Sequence, residues 1–234
     1  MLYAENTMLP DSEATSKLLS EVPSVFNQIW VQLMNEVEPG QRIVMHNAYL
    51  LLPSDLLLSV IQAVKRGVHV NLLTNSPMSS DAGVVAESAD FQYRELLNLN
   101  GSYPGSVTIF EYTTEEALHN KVSLIGDHYL VVGSANADPR SRYLDTQNGV
   151  FIKSSTLVNE YEQWLTTITT LLLDSGRLVL VTEESLDQED EEPTITQRLL
   201  NAIRGVIEPW MNLAFDERVG GPARESLDNL FLQL

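Results

Sequence analysis

RIVMHNAYLLLPSDLLLSVIQAVKRGVHVNLLTN, residues 42–75, decides the fold. After the turn residues Pro39 and Gly40, RIVMHNAY reads as a buried strand, and VHVNLLTN at 68–75 reads as a second. Between them Ser54 is expected to cap an apolar helix from Asp55 to Arg66, and Gly67 to end it. A strand, a capped helix and a strand in this short space form a βαβ unit. That unit implies parallel strands joined by a crossover helix, so the fold class is α/β.

Upstream, residues 12–37 carry helical spacing in Leu18, Leu19, Val22, Phe26, Ile29, Trp30 and Leu33, with Pro23 set to kink the helix or start a new one. Residues 1–37 are therefore expected to be a lead-in, loose at its start, followed by a helix. Downstream, the serine-rich SPMSSDAG is a loop at the carboxyl end of the second strand, where open α/β sheets place ligands. A helix from Val84 to Leu99 leads to the strand VTIFEYT. NKVSLIG and YLVVGS then form a hairpin through Gly126-Asp127-His128. DTQNGVFIK is another strand, STLVNEYEQWLTTITTLLL a long helix, and RLVLVTE an edge strand. The central domain is expected to run from 38 to 182. An acidic linker follows at 183–193, and an amphipathic helix with a tail at 194–234, whose Ile195, Leu199, Leu200, Ile203 and Ile207 need an apolar surface to dock on.

Composition narrows the function classes. The chain has 234 residues, 44% of them hydrophobic, which is enough for a substantial core. With no cysteine, disulfide staples, thiolate nucleophiles and cysteine zinc sites are excluded. The formal charge of -18 disfavours binding to nucleic acid. The N-terminus has neither a basic leader nor an apolar run, and the longest apolar stretch, Trp164 to Leu173, is interrupted by polar residues and too short to span a bilayer. The expected location is the cytoplasm, with a peripheral contact at the inner membrane surface left open.

The chemistry lies in LHNKVSLIGDHYLVVGSANADPRSRYLDTQNGVFI, residues 118–152. His119 and Lys121 are two apart on a strand, so their side chains leave the same face, an imidazole beside an ammonium. That pairing suits a phosphate. An imidazole can attack phosphorus or pass a proton, and a lysine neutralises charge that builds on the phosphoryl oxygens. No metal or cofactor is required. Gly133, Ser134 and Asn136 follow the partner strand of the hairpin and bring small donors and an amide alongside.

His-x-Lys followed by Gly-Ser-x-Asn at this spacing resembles the signature of the phospholipase D superfamily. The flanks VKRGVHVNLLTNS and GSANADPRS resemble its bacterial cardiolipin synthase-like branch. The resemblance runs from about Asn35 to the terminal amphipathic helix and implies a mixed sheet between helical layers. Proteins of that branch carry two such motifs, and this stretch looks like the second, carboxyl-terminal half. The resemblance implies glycerophospholipid substrates and a phosphohistidine intermediate on one histidine. A counterpart histidine serves as acid and base, supplied by a homodimer partner or by a separate amino-terminal half. His119 would be one of that pair, and Lys121 and Asn136 would bind phosphate oxygens with support from Ser134.

Two departures accompany the match. The family's aspartate, five residues after the lysine, aligns with Gly126, with Asp127 one position on and able to take over its contacts. A glutamate that hydrogen-bonds the histidine aligns with Gln147, and a neutral amide cannot raise a histidine's pKa as a carboxylate does. Two alternatives therefore stand beside a phosphatidyltransferase or phosphodiesterase: a homodimeric nuclease of the same superfamily, and a binding or assembly module whose site has decayed. His46, His69 and His128 lack comparable neighbours and read as structural or solvent-facing. Asp138, Arg140 and Arg142 read as residues that shape a turn and its salt bridges.

Overall fold

The computed structural model describes residues 2–4, 25–80, 83–143, 145 and 147–186; the amphipathic segment expected at 194–215 lies outside them. In chain order the elements are β1 (Leu2–Ala4), α1 (Val25–Asn35), β2 (Arg42–Asn47), α2 (Ser54–Lys65), β3 (His69–Asn75) and α3 (Gly83–Asn98). A 3-10 turn at Leu99–Gly101 follows, then β4 (Val107–Tyr112), β5 (Lys121–Ile125), β6 (Tyr129–Gly133), α4 (Pro139–Tyr143), β7 (Asn148–Lys153), α5 (Ser155–Asp174), β8 (Leu178–Leu180) and α6 (Glu183–Leu186).

The βαβ unit is present. β2 and β3 pair in parallel from Arg42 opposite His69 to His46 opposite Leu73, and β4 continues the parallel run on β3. Every other pairing is antiparallel, giving an eight-stranded mixed sheet in the order β1-β7-β6-β5-β2-β3-β4-β8. The β5–β6 hairpin turns through Gly126-Asp127-His128 as expected, and β8 is the expected edge strand.

Because side chains alternate across a strand, the sheet has two apolar faces. Ile43, Met45, Val70, Leu72, Ile109, Ile125 and Phe151 join Phe26, Trp30 and Met34 of α1 and the inner faces of α2 and α3 in one large cluster. Val44, Leu73, Leu124 and Leu130 lie on the other face and pack on Val158 and Leu165 of α5. The sheet is thus sandwiched between helical layers, as the resemblance implied.

Four local readings are corrected. Helix α2 begins at Ser54 itself, with Pro53 in the cap position and no side-chain cap, because proline's fixed φ of -56° already suits a helix entry. Strand β7 starts at Asn148 rather than Asp145, since Gln147 turns aside to bond Ser134 and Ser141. Leu2–Ala4, in the expected loose lead-in, adds an edge strand to β7. Glu183–Leu186, at the start of the expected acidic linker, forms the short α6, held by reciprocal bonds between Thr182 and Ser185 and by Arg94 Nη2 donating to the Leu186 carbonyl at 2.9 Å.

Close packing at β6, β7 and α1 requires glycine. A Cβ at Gly133 would lie 2.3 Å from the Asn148 carbonyl oxygen, and one at Gly149, its register partner, 2.3 Å from the Phe26 ring. Phe26 also stacks on Phe151 with ring centroids 4.8 Å apart, so it has nowhere to retreat. Gly149→Ala is therefore expected to lower stability by about 1–3 kcal/mol, read as a shift in the urea midpoint at unchanged slope.

His46 lies on the α5 face of the sheet, 3% exposed, with Nδ1 3.0 Å from the Tyr161 hydroxyl and the Asn120 amide 3.4 Å away. Burial pushes its pKa down from 6.5 to about 4, so the folded protein holds it neutral. The unfolded chain takes up the proton first as pH falls, and the stability contributed by the neutral ring is lost progressively from about pH 6.5 to 4. The loss is about 3 kcal/mol. Thermal melts across this window should show a smaller acid-side loss for His46→Gln than for the native chain.

Candidate active site

Of the residues singled out by sequence, Lys121 and Gly133 lie at the carboxyl end of β2 and β3, with His119, Ser134, Asn136 and Gln147 on the segments beside them, and Asp127 does not. Asn75, the last residue of β3, receives the Leu118 N–H on its Oδ1 at 2.7 Å and donates its Nδ2 to the Leu118 carbonyl at 2.8 Å. Two residues on, the Ala48 N–H donates to the Asn120 carbonyl at 2.9 Å. His119 sits between these two ties, in the irregular lead-in before β5, so the expectation that it shares a strand with Lys121 is corrected: side-chain and backbone ties to Asn75 and Ala48 hold this segment in place of a ladder. It is exposed, and its imidazole makes no hydrogen bond to any described residue.

Lys121 opens β5 and is half-buried, with Nζ 3.2 Å from the His119 carbonyl oxygen to which it donates. The antiparallel register sets Lys121 opposite Asn47, so the two side chains leave the same face. Asn47 is 1% exposed, and neither its Oδ1 nor its Nδ2 has a hydrogen-bond partner among the described residues. On the other flank Val122 registers with Val132, and one further step brings Lys121 beside Gly133. The short Cα distance that Gly133 permits keeps the following Ser134 and Asn136 close to β7.

Ser134 and Gln147 form one network. The Ser134 hydroxyl donates to Gln147 Oε1 at 2.5 Å and accepts the Asn148 N–H at 3.0 Å. Gln147 Nε2 donates to the Ser141 hydroxyl at 3.3 Å, which also accepts the Asn136 N–H at 3.1 Å. Gln147 thus orders the loop that carries Ser134 and Asn136, and it makes no bond to His119. The Asn136 Oδ1 is buried without a partner among the described residues, a second such amide oxygen in this region. Polar atoms buried in this state cost free energy unless something bonds them.

Asp138, Arg140 and Arg142 shape the turn, as expected. Asp138 Oδ1 accepts the Ser141 N–H at 2.6 Å; burial raises its carboxyl pKa, and the Ser141 bonds oppose that rise. The guanidinium of Arg142 forms an ion pair with Asp55 at the start of α2, with Nε 3.3 Å from Oδ1, while its carbonyl accepts Asn27 Nδ2 of α1 at 3.4 Å. Arg140 pairs with Asp145 at the surface. A bridge between Leu50 and Ala137 ties the same loop to the chain leaving β2.

Asp127 stands at the opposite end of β5 from His119. There it receives Arg42 Nη1 at 3.1 Å and Gln41 Nε2 at 3.3 Å, so it supports the hairpin at the end away from His119. Gly126 adopts φ +58°, a left-handed conformation that glycine takes at no steric cost, which displaces the carboxylate to the next position. His69 and His128 lie away from the site, 3.4 Å from the Gly105 carbonyl and 2.7 Å from the Ser155 hydroxyl respectively. Sequence reasoning missed Asn47, Asn75 and Ser141. For the two asparagines the available signal was a residue type depleted in strands ending an apolar β run; Ser141 gave none.

Comparison with known proteins identifies relatives of this chain. The family described as cardiolipin synthase, PLD-like domain, matches residues 31–169. Cardiolipin synthase B of Salmonella typhi is 32% identical over 116 residues, covering 50% of this chain and 26% of that protein. Cardiolipin synthase C of Escherichia coli is 27% identical over 168 residues, covering 67% of this chain and 35% of that one. The chain therefore spans between about a quarter and about a third of these relatives. Among solved structures, the phosphatidylserine synthase of Haemophilus influenzae superposes with a TM-score of 0.65 at 18% identity, over 77% of this chain and 42% of that one, which shows a shared fold. With its matched residues spanning β2 to most of α5 and holding every residue of the site, the chain belongs to the phospholipase D-like domain family of the cardiolipin synthases.

Proposed function

We propose that this chain supplies one half-site of a phospholipase D-type phosphatidyltransferase acting on glycerophospholipids. The observation that supports the reading is the exposed His119 two residues before Lys121, whose register partner Asn47 has a buried amide without a partner among the described residues, with a second such amide oxygen on Asn136. A bound phosphodiester with its alcohol provides both kinds of partner: oxygens that accept from Nδ2, and a hydroxyl that donates to Oδ1. Lys121 sets a positive charge where negative charge grows on the phosphoryl oxygens.

In the proposed reaction one imidazole attacks phosphorus as the bond to the leaving alcohol breaks, and a second histidine gives that alcohol its proton. The second histidine then takes the proton of an acceptor alcohol, whose oxygen displaces the phosphohistidine and forms the new diester. His119 provides one of these two rings. The other comes from a second copy of this chain or from a separate amino-terminal half, in keeping with the part of its relatives that the chain spans. The unit that carries the site is proposed as 38–182 with α6 packed on it, with the linker starting after Leu186 and 194–234 as a terminal helical segment. No described helix is long and apolar enough to cross a membrane. Contact with lipid is therefore proposed as peripheral, supported by Met78, 69% exposed just past the carboxyl end of β3, the sheet end that also bears His119.

The neutral Gln147 favours one competing reading, a binding module without turnover, and two variants separate the readings. In the complete assembly, His119→Ala should reduce turnover of phosphatidylglycerol vesicles about a thousandfold or more, measured as product by mass spectrometry. Activity retained within a few-fold of the native chain would remove His119 from the chemistry. Gln147→Glu adds a carboxylate to the network beside the site and should raise the pKa of the His119 imidazole, followed by NMR titration, together with turnover. A raised imidazole pKa with no turnover before or after the change is the outcome that the binding-module reading requires.

A further inference from the structure

Two ties hold the backbone around His119, and the first of them is a single side chain with both of its donors engaged. Asn75 is 2% exposed. Its Nδ2 donates to the Leu118 carbonyl at 2.8 Å and to the Ala48 carbonyl at 3.0 Å, and its Oδ1 accepts the Leu118 N–H at 2.7 Å. An asparagine amide has two donors and two acceptor lone pairs, and both donors and one acceptor position are used here. They join two separate pieces of chain to the end of β3: the exit from β2 at Ala48 and the lead-in to β5 at Leu118.

Leu118 precedes β5 and lies outside the sheet ladder, so the Asn75 amide takes the place of a strand neighbour for that peptide. Ala48 links the two ties, since its carbonyl accepts from Asn75 and Thr74 while its N–H holds the Asn120 carbonyl. His119 is then the one exposed residue of a short segment fixed on both sides by partly buried bonds. Reacting groups must be held to within a fraction of an ångström, and long-range misplacement of about 1 Å can cost about a hundredfold in rate.

We infer that Asn75 is a positioning residue for His119, acting through the Leu118 peptide and not by contact with substrate. The inference rests on the reading of His119 as a reacting group. The structure supplies a matched control, because Asn100 makes the same reciprocal clamp on Val107 at the opposite end of the parallel strands, with Nδ2 to carbonyl 3.0 Å and N–H to Oδ1 2.9 Å.

The full chain carrying 15N-labelled histidine gives a readout that needs no turnover. Asn75→Asp replaces two donors with an acceptor facing two carbonyls, and Asn75→Ala removes the clamp. Both should shift or split the His119 ring signals while leaving those of His128 in place, and Asn100→Asp should leave His119 unmoved. In the active assembly, the Asn75 variants should lower kcat by about thirtyfold or more with KM within about threefold, against less than about threefold in kcat for Asn100→Asp. Should neither Asn75 variant fold, hydrogen exchange on the native chain decides: the Leu118 amide should be protected and the His119 amide free. The inference is overturned if the His119 signals match the native ones in a folded Asn75 variant, if Asn100→Asp moves them equally, or if the Leu118 amide exchanges unprotected. Absence of turnover in the native assembly, with His119 still responding to Asn75, would instead count against the proposed reaction alone.

Discussion

The antiparallel register between β2 and β5, with Asn47 opposite Lys121, is the constraint on which the rest of the structure depends. It joins a parallel βαβ unit to an antiparallel hairpin and sets the hairpin's functional end against the carboxyl ends of the parallel strands. A slip of one residue would turn Lys121 to the α5 side and bury Val122 where the site now lies. The apolar pattern guards against that slip. Val122 and Leu124 pack on the α5 face, while Ile125 lies on the face of α1 and α2.

Much of this was legible in the sequence. Two apolar runs around a capped-looking helix were enough to identify β2, α2 and β3, because parallel strands buried on both faces read as nearly continuous hydrophobic segments. The hairpin, the long α5 and the edge strand β8 were legible for similar reasons. His119, Lys121, Ser134 and Asn136 stood out through spacing. What spacing cannot express is which backbone groups lack a ladder partner. The Leu118 peptide is such a case, and the side chain that satisfies it comes from 43 positions upstream. Asn47 was equally hidden, since its importance comes from a neighbour across the sheet and from what its amide fails to touch.

Gln147 shows how a departure from a family pattern can have a structural meaning of its own. Its amide both accepts from Ser134 and donates to Ser141, a pair of roles that a carboxylate cannot fill. The side chain thereby stiffens the loop that presents Asn136. Gly126 and Asp127 make a similar exchange at the far end of β5, where the turn gains a left-handed residue and the carboxylate moves on to pair with Arg42.

The ion pair between Arg142 and Asp55 joins positions 87 apart, and the bond from Asn27 to the Arg142 carbonyl joins positions 115 apart. Contacts of this span form only after long stretches of chain have been brought together, against the entropy of closing large loops. The turn bearing Ser134 and Asn136 is thus expected to order late as the chain folds, after the βαβ unit whose contacts are local. During synthesis from the amino terminus, α1 and α2 leave the ribosome well before their partner at Arg142 exists. Until then the Asp55 carboxylate at the head of α2 has no partner at Arg142 to meet, and the surface that will receive the turn bearing Ser134 and Asn136 waits as an open template.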